Sequence, residues 1–289
     1  MSRIYFRDFF MINFNGNITN EVNVISFKNR GFNYGDALFE TIKASHGKLL
    51  FWEDHYFRLM ASMRIMRMEI PMNFTLEFFE EEIQKFFSSS AALTSARIKI
   101  VIYRKGSGLY TPDINDIGYL ISLKPLENAI YELNTDPYII DLYKDNYIAP
   151  SLLSTVKTNN KALNVLGSIY AKENGYHNCL VLNTNKSVVE ALNANLFIVK
   201  DKTIKTPPLT DGCLKGVMRK QIIDILKAMP EYEITERSIS PFELQKADEM
   251  FLTNVITGIQ PITNYRKKTY SSKLALELIG KLNLKVRLA

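Results

Sequence analysis

The hydrophobic pattern of this chain switches period repeatedly, and that switching most limits the folds open to it. In ARIKIVIYR, residues 96–104, apolar and polar side chains alternate, as in a strand with one buried face. Upstream, Tyr56, Leu59, Met60, Met63 and Met66 recur at three- and four-residue steps, one face of a helix whose solvated side carries Arg64 and Arg67. FTLEFFEEEIQKFFSSS, residues 74–90, is a second amphipathic helix with acids in its early turns. Two hairpins come earlier: FFMINFNGNI (9–18) turns at Asn15 and Gly16, and ALFETIKASHGKLLFW (37–52) turns at Gly47. DIGYLISLKPL, residues 116–126, adds a strand. Strands with two helices predict a layered α+β arrangement.

From Lys124 the periodicity breaks in KPLENAIYELNTDPY, with prolines towards both ends. Such a stretch predicts a connection between domains. The expected division is a small domain over 1–123, a linker over 124–135 and a larger domain over 136–289, a length that allows two cores. The larger part opens with the strand YIIDLY and a helix ending near Gly175. HNCLVLNTNKSVVEA then reads as strand–turn–strand, and ANLFIVKDKTIKTP as a hairpin. GVMRKQIIDILKAM is a helix and YEITERSIS a strand; a short helix follows at 241–246, then the strand EMFLTNVI and a final helix over 271–282.

Composition narrows the function classes. Two cysteines, Cys179 and Cys213, are too few for a disulfide framework, and neither belongs to a metal-binding spacing. The N-terminal segment has no signal-peptide pattern and no apolar run reaches the length of a membrane span, so the cytoplasm is the expected compartment. A net charge of +6 raises the question of nucleic acid, but the basic residues are scattered among acids with no basic stripe. Neither nucleic acid nor membrane is an expected partner; an anionic small molecule suits the charge. His46 and His177 sit at turns, and the GSG at 106–108 opens no helix, so it reads as a turn rather than a dinucleotide fingerprint.

Some features are harder to dismiss. In SLLSTVKTNNKALNVL (151–166), Lys157 stands where a polar stretch feeds a helix; alone, it reads as a solvated loop lysine. Glu190 lies in SVVEALNANLF, where a carboxylate is poorly solvated unless paired. TPPLTDGCLKGVMR ends in Gly216 and a helix start, which presents the Val217 and Met218 N–H groups as an anion site. Arg58 lies on the helix that opens with EDHYFR. A lysine, a carboxylate, an anion-ready helix start and an arginine are what pyridoxal 5′-phosphate (PLP) requires. The lysine supplies the Schiff base, the carboxylate meets the ring nitrogen, and the other two neutralise the phosphate.

A family resemblance joins these pieces. NRGFNYGDALFETIK (29–43) resembles the start motif of the class IV, branched-chain-type aminotransferases, which are fold type IV PLP enzymes. EDHYFRLMASM, with His55 and Arg58, resembles the helix that follows, and VKTNN the Schiff-base segment. EALNANLFIVKD is similar to the Glu-x4-Asn-x-Phe strand, TPPLTDGCLKGVMRKQII to the phosphate loop and helix, and ADEMFLTNVITGIQPI to the late strand and turn. The resemblance implies a small N-terminal α/β sandwich domain, a larger β-barrel-like C-terminal α/β domain, PLP between them, and a homodimer. It implies that Lys157 forms the Schiff base and moves the proton between Cα and C4′. Glu190 would face the ring nitrogen, and Arg58, Val217 and Met218 would bind the phosphate. Asn195 would fix the strand turn near Glu190 or reach the cofactor. Tyr34 and Phe39 would be substrate-side residues, or packing residues of the hairpin.

The reaction stays open between two members of that family. Branched-chain enzymes carry a tyrosine where Ala162 stands and a threonine where Val255 stands. Lys157 and Asn160 fit the Lys-x-x-Asn of 4-amino-4-deoxychorismate lyases, a spacing that D-amino-acid transaminases share. Thr253 and Asn254 lean towards the lyase, with Asn254 on the substrate side. Against the lyase, the arginine of its RGSGGRGY loop is missing from RKGSGLY where Leu109 and Tyr110 stand, so Arg104 or Lys105 would have to substitute in meeting a substrate carboxylate. One expectation is an aminotransferase acting on an amino acid and a 2-oxo acid. The alternative is a lyase forming 4-aminobenzoate and pyruvate. A non-enzymatic binding module would be expected to lack Lys157 or Glu190, and both are present.

Overall fold

A computed structural model describes residues 11–20, 25–87 and 94–288. Phe9 and Phe10 of the first expected hairpin, and 88–90 of the second expected helix, lie outside them. The chain divides into two compact units, Met1–Ala129 with Lys157–Asn160, and Ile130–Val156 with Lys161–Ala289.

The first unit contains β1 (Ile12–Phe14), β2 (Asn17–Thr19), α1 (Arg30–Tyr34), β3 (Ala37–Ser45), β4 (Lys48–Leu49), α2 (Trp52–Ile65), α3 (Leu76–Phe87), β5 (Ser95–Arg104) and β6 (Ile117–Pro125). Its six strands form an antiparallel sheet in the order β2-β1-β6-β5-β3-β4. Both expected hairpins form, and each turns on two residues of positive φ: Asn15 (52°) and Gly16 (92°), then His46 (49°) and Gly47 (76°). This turn type matches the right-handed twist of the flanking strands. The alternation of β5 buries Ile98, Ile100 and Ile102 completely, opposite Ile42, Glu40 and Leu38 of β3. Leu59, Met60 and Met63 of α2 are buried as their helical spacing predicts. The short α1 was not anticipated; the Asn29 side chain caps its start and Gly35 (φ 64°) ends it within five residues.

β3 also fixes a distant segment. β5 runs along one edge of β3, while β4 reaches only Ala44 and Ser45 on the other. Residues 157–159 pair with the uncovered stretch: Phe39 N donates to Lys157 O at 2.9 Å, Asn159 N donates to Ala37 O at 2.9 Å, and Thr158 bridges Leu38. Edge pairing therefore assigns Lys157–Asn160 to the first unit, a placement invisible to a division by chain order.

The second unit contains β7 (Ile139–Ile148), α4 (Ala162–Glu173), β8 (Asn178–Asn183), β9 (Val188–Ala191), β10 (Ala194–Lys200), β11 (Thr203–Thr206), α5 (Val217–Lys227), β12 (Glu233–Glu236), α6 (Pro241–Lys246), β13 (Glu249–Asn254), β14 (Gly258–Pro261), β15 (Asn264–Tyr265), β16 (Lys268–Thr269) and α7 (Lys273–Leu288). Its mixed sheet runs β12-β11-β10-β9-β8-β7-β15-β16, with β13 pairing β10 and β14. β13 lies along one edge of β10; the other edge is shared by β9 beside 194–195 and β11 beside 198–200. The final helix runs six residues beyond the expected Leu282, to Leu288, because Gly280 lies inside it and no breaker follows. β14, β15 and β16 were not anticipated, being only two to four residues long, too short to show alternation.

Cross-strand register defines one face of this sheet. Glu190 pairs with Asn195 and Asn195 with Thr253; Phe197 pairs with Phe251 and Val199 with Glu249. Paired residues project to the same side. The rings of Phe197 and Phe251, both fully buried, stack at 5.1 Å. At the far end, Glu249 accepts the Leu274 N–H at 3.0 Å and the Ala275 N–H at 2.7 Å, so its carboxylate caps the start of α7. Phe197→Ala is expected to cost about 3–5 kcal/mol, the usual range for a phenylalanine deleted from a core. Urea denaturation of the variant checks this; a loss below about 1 kcal/mol would show that the stack is not what holds β10 to β13.

Candidate active site

In the first unit, a buried charge cluster sits between β3 and α2. Glu40 is 1% exposed and His55 is fully buried. Arg58 Nε donates to Glu40 Oε1 at 2.7 Å and Arg58 Nη2 to Oε2 at 2.6 Å, a two-pronged charge-assisted pair. His55 Nδ1 lies 2.8 Å from Oε2. Burial alone would raise the Glu40 pKa; the Arg58 charge and the His55 and Arg58 hydrogen bonds override it and hold the carboxyl down at about 2. Burial lowers the His55 pKa, against the pull of Glu40. The neutral ring therefore carries its proton on Nδ1, a tautomer that follows from the carboxylate beside it.

On the other side of β3, Phe39 is half-buried and two ammonium groups stand over its ring, Lys157 Nζ at 4.4 Å and Lys99 Nζ at 5.0 Å from the centroid. Burial, and then the neighbouring Arg97 charge, lower the Lys99 pKa. Tyr34 is at the end of α1, with the Tyr110 ring at 5.9 Å and the Arg30 guanidinium carbon at 5.0 Å from its own ring centroid.

The arginines near this loop are committed elsewhere. Arg104 donates from Nε to Asp36 Oδ2 (2.9 Å), from Nη1 to Arg67 O (3.1 Å) and Asn115 Oδ1 (2.6 Å), and from Nη2 to Met66 O (2.6 Å). Four of its five N–H groups are thus engaged inside the unit. Arg30, not singled out from the sequence, shares Asp36 Oδ2 at 3.0 Å and grips the carbonyls of Ser107, Gly108, Leu109 and Tyr110. Lys105 is exposed.

In the second unit, Glu190 and Asn195 meet the loop that leads into Val217 and Met218. Leu214 N donates to Glu190 Oε2 at 2.9 Å. The Asn195 amide donates to Leu214 O at 3.0 Å and to Glu190 Oε2 at 3.4 Å, which ties the strand to the loop before α5. Glu190 is half-buried rather than fully enclosed. α5 begins at Val217, and its N-cap, Gly216, has no side chain with which to cap the first turn. Gly216 is required here, because a Cβ would collide with Asn195 Oδ1. The Asn254 side chain closes its own turn through one atom: its Oδ1 accepts from Ile256 N (3.0 Å) and Thr257 N (2.9 Å). Lys161, at the N-cap of α4, is half-buried; burial lowers its pKa and the Glu190 charge opposes that.

These features fit the cofactor expected from the sequence. The Thr253 hydroxyl is buried without a hydrogen-bond partner among the described residues, on the sheet face that carries Glu190 and Asn195. Beside that row stand an uncapped helix start and a glycine cradle with no room for a methyl group. A carboxylate for a ring nitrogen and N–H donors for a phosphate are the donor set PLP needs. From the sequence, Thr253 enters only through the lyase-like Thr253–Asn254 pair and Glu40 only within the start motif; register sets the first beside Asn195, and a pairing that spans 18 residues joins the second to Arg58. Among the described residues no group of three or more His, Cys, Asp or Glu is placed to hold a metal ion, and no helix is long and apolar enough to cross a membrane.

Residues 37–265 match the family model described as Amino-transferase class IV. A probable branched-chain-amino-acid aminotransferase of Aquifex aeolicus is 28% identical over 257 residues, 82% of this chain and 78% of the relative. An aminodeoxychorismate lyase of Vibrio harveyi is 27% identical over 237 residues, 81% of this chain and 84% of the relative. The crystal structure of the branched-chain aminotransferase of the thermophilic archaeon Thermoproteus uzoniensis with norvaline superposes with a TM-score of 0.84 at 22% identity, covering 94% of this chain and 92% of that one; this likeness establishes the fold.

The charge cluster has a consequence for acid stability. The unfolded chain takes up a proton at His55 as pH falls through 6.5, whereas the folded ring resists it, so stability declines below that pH. Glu40 adds a second loss between its ordinary value of 4.5 and about 2. Melting temperatures of wild type and His55→Asn between about pH 7 and pH 5, the range in which an unperturbed histidine titrates, test this. The variant is expected to show a shallower decline; equal slopes would remove His55 from the account.

Proposed function

The chain belongs to the amino-transferase class IV family, and from that premise we propose that it binds PLP and transfers an amino group between an amino acid and a 2-oxo acid. The observation that supports this reading best is the row Glu190, Asn195 and Thr253 beside the uncapped start of α5. When bound, the cofactor supplies an aldehyde that captures the substrate amine and a ring that takes up the electron pair left when the Cα–H bond breaks.

Each residue has a defined task in this proposal. Lys157 would hold the cofactor covalently through Nζ; displaced when the substrate amine takes its place, its freed amine would accept and return the proton of the substrate Cα. The Glu190 carboxylate keeps a proton on the ring nitrogen, because a neutral ring draws electrons less strongly. Asn195 does not need to touch the cofactor; its amide is engaged with Glu190 and Leu214, so it orients the carboxylate. The N–H groups of Val217 and Met218 and the Arg58 guanidinium bind the phosphate. Tyr34 and Phe39 border the substrate. With Arg104 engaged four times over, we assign the substrate carboxylate to Lys99, which stands over the same ring as Lys157.

The lyase reading is supported by a specific observation, the near-equal identity of the Vibrio harveyi relative over a similar share of the chain. Purified protein incubated with L- and D-amino acids plus 2-oxo acids, and separately with aminodeoxychorismate, distinguishes the two. New amino acid formed from the oxo acid is the expected result. Release of 4-aminobenzoate and pyruvate without any amino transfer would overturn the aminotransferase proposal.

Two variants test the assigned residues. Lys157→Ala should abolish the borohydride-reducible protein–PLP adduct; an adduct persisting at Lys161 would move the assignment there. Glu190→Gln should retain bound PLP while turnover falls by roughly two or more decades, the scale on which a preorganised charge acts in a water-excluded site. Turnover near the wild-type rate would leave Glu190 a scaffolding residue only.

A further inference from the structure

We infer that Glu40 and His55 are positioning residues for the phosphate end of the cofactor: the buried carboxylate clamps the Arg58 guanidinium, and the imidazole clamps the carboxylate. The inference rests on the proposal that Arg58 binds the phosphate, and extends it to two residues that have no part in it.

The geometry carries the argument. Both oxygens of Glu40 are engaged by the Nε and Nη2 prongs of Arg58, so the guanidinium plane cannot rotate about its own stem without breaking two charge-assisted bonds. His55 reaches the same carboxylate from one turn earlier on the same helix. Its other ring nitrogen, Nε2, is buried with no hydrogen-bond partner among the described residues. Among the described residues the ring's hydrogen bond is therefore the one to Glu40.

A cluster of this kind is a poor way to gain stability. A buried ion pair is often matched or bettered by hydrocarbon of similar volume, because desolvating two charges offsets their attraction. What the cluster provides is direction. A planar fork held along one edge presents its charge at a fixed angle, which a lysine on a flexible stem does not do. The neighbouring residue on β3, Phe39, carries Lys157 over its ring, and the Lys157 charge is felt at His55. Glu40 and the residue that holds the Lys157 backbone are thus neighbours on one strand, Phe39 N donating to Lys157 O at 2.9 Å.

The test compares the affinity of the apoprotein for PLP with that for pyridoxal, which lacks the phosphate. A general folding defect lowers both affinities, whereas a misaimed Arg58 lowers only the first. Arg58→Ala should collapse the preference for PLP; an unchanged preference would defeat the phosphate reading itself. Given that collapse, Glu40→Gln should reduce the preference about tenfold with pyridoxal affinity unchanged, as expected when a charge-assisted contact is misaligned rather than removed. His55→Leu should reduce it in the same sense, and His55→Asn, which keeps a donor near the position of Nδ1, should restore it. If Arg58→Ala collapses the preference while Glu40→Gln and His55→Leu retain the wild-type value, the inference is overturned. Should Glu40→Gln fail to fold, the contrast between the two His55 variants decides by the same criterion.

Discussion

Glu40 puts a negative charge into the interior of the first unit, and its surroundings are arranged to meet that charge. A carboxylate in such a place is tolerated only when its oxygens are hydrogen-bonded and its charge is balanced. Arg58 does both, and His55 holds the group in place. Because strand residues alternate, the strand that points Glu40 one way points Phe39 the other, where Lys99 and Lys157 stand over the ring. The same strand takes up the 157–159 segment along its open edge. One strand therefore carries a paired carboxylate on one side and two ammonium groups on the other, and also sets where the candidate Schiff-base lysine lies.

The second unit uses one face of its sheet in a comparable way. Glu190, Asn195 and Thr253 form a row at one end, Phe197 and Phe251 fill the middle, and Glu249 caps α7 at the other. The stacked rings are an apolar anchor between two polar ends. Asn195 links the row to the loop before α5, and Gly216 lets that loop approach closely. The loop before the helix is thereby held against a carboxylate, through Leu214 N, and the Gly216 N-cap has no side chain to occupy the first turn.

Arginines show how residue type alone misleads. Arg58, Arg104 and Arg30 look equally suited to an anion. Arg104 and Arg30 instead share Asp36 and spend their remaining donors largely on backbone carbonyls. Arg30 thereby fixes the shape of the 107–110 loop from within. An arginine with most of its N–H groups held by its own protein serves as a structural tie.

The sequence by itself determined the local elements and the order of the motifs. Hairpins at Asn15–Gly16 and His46–Gly47, the helical face of α2 and the helix start after Gly216 follow from side-chain period, turn residues and neighbours a few positions away. Lys157, Glu190 and the α5 start became candidates on short motifs that only the family resemblance joined. Tertiary structure alone decided which groups meet. Arg104 finds Asp36 across 68 residues, Thr253 falls beside Asn195 through strand register, and Lys157 joins the first unit through an edge that β4 leaves open. Hydrogen-bond saturation and cross-strand register depend on residues far apart in the chain, and no local pattern encodes them.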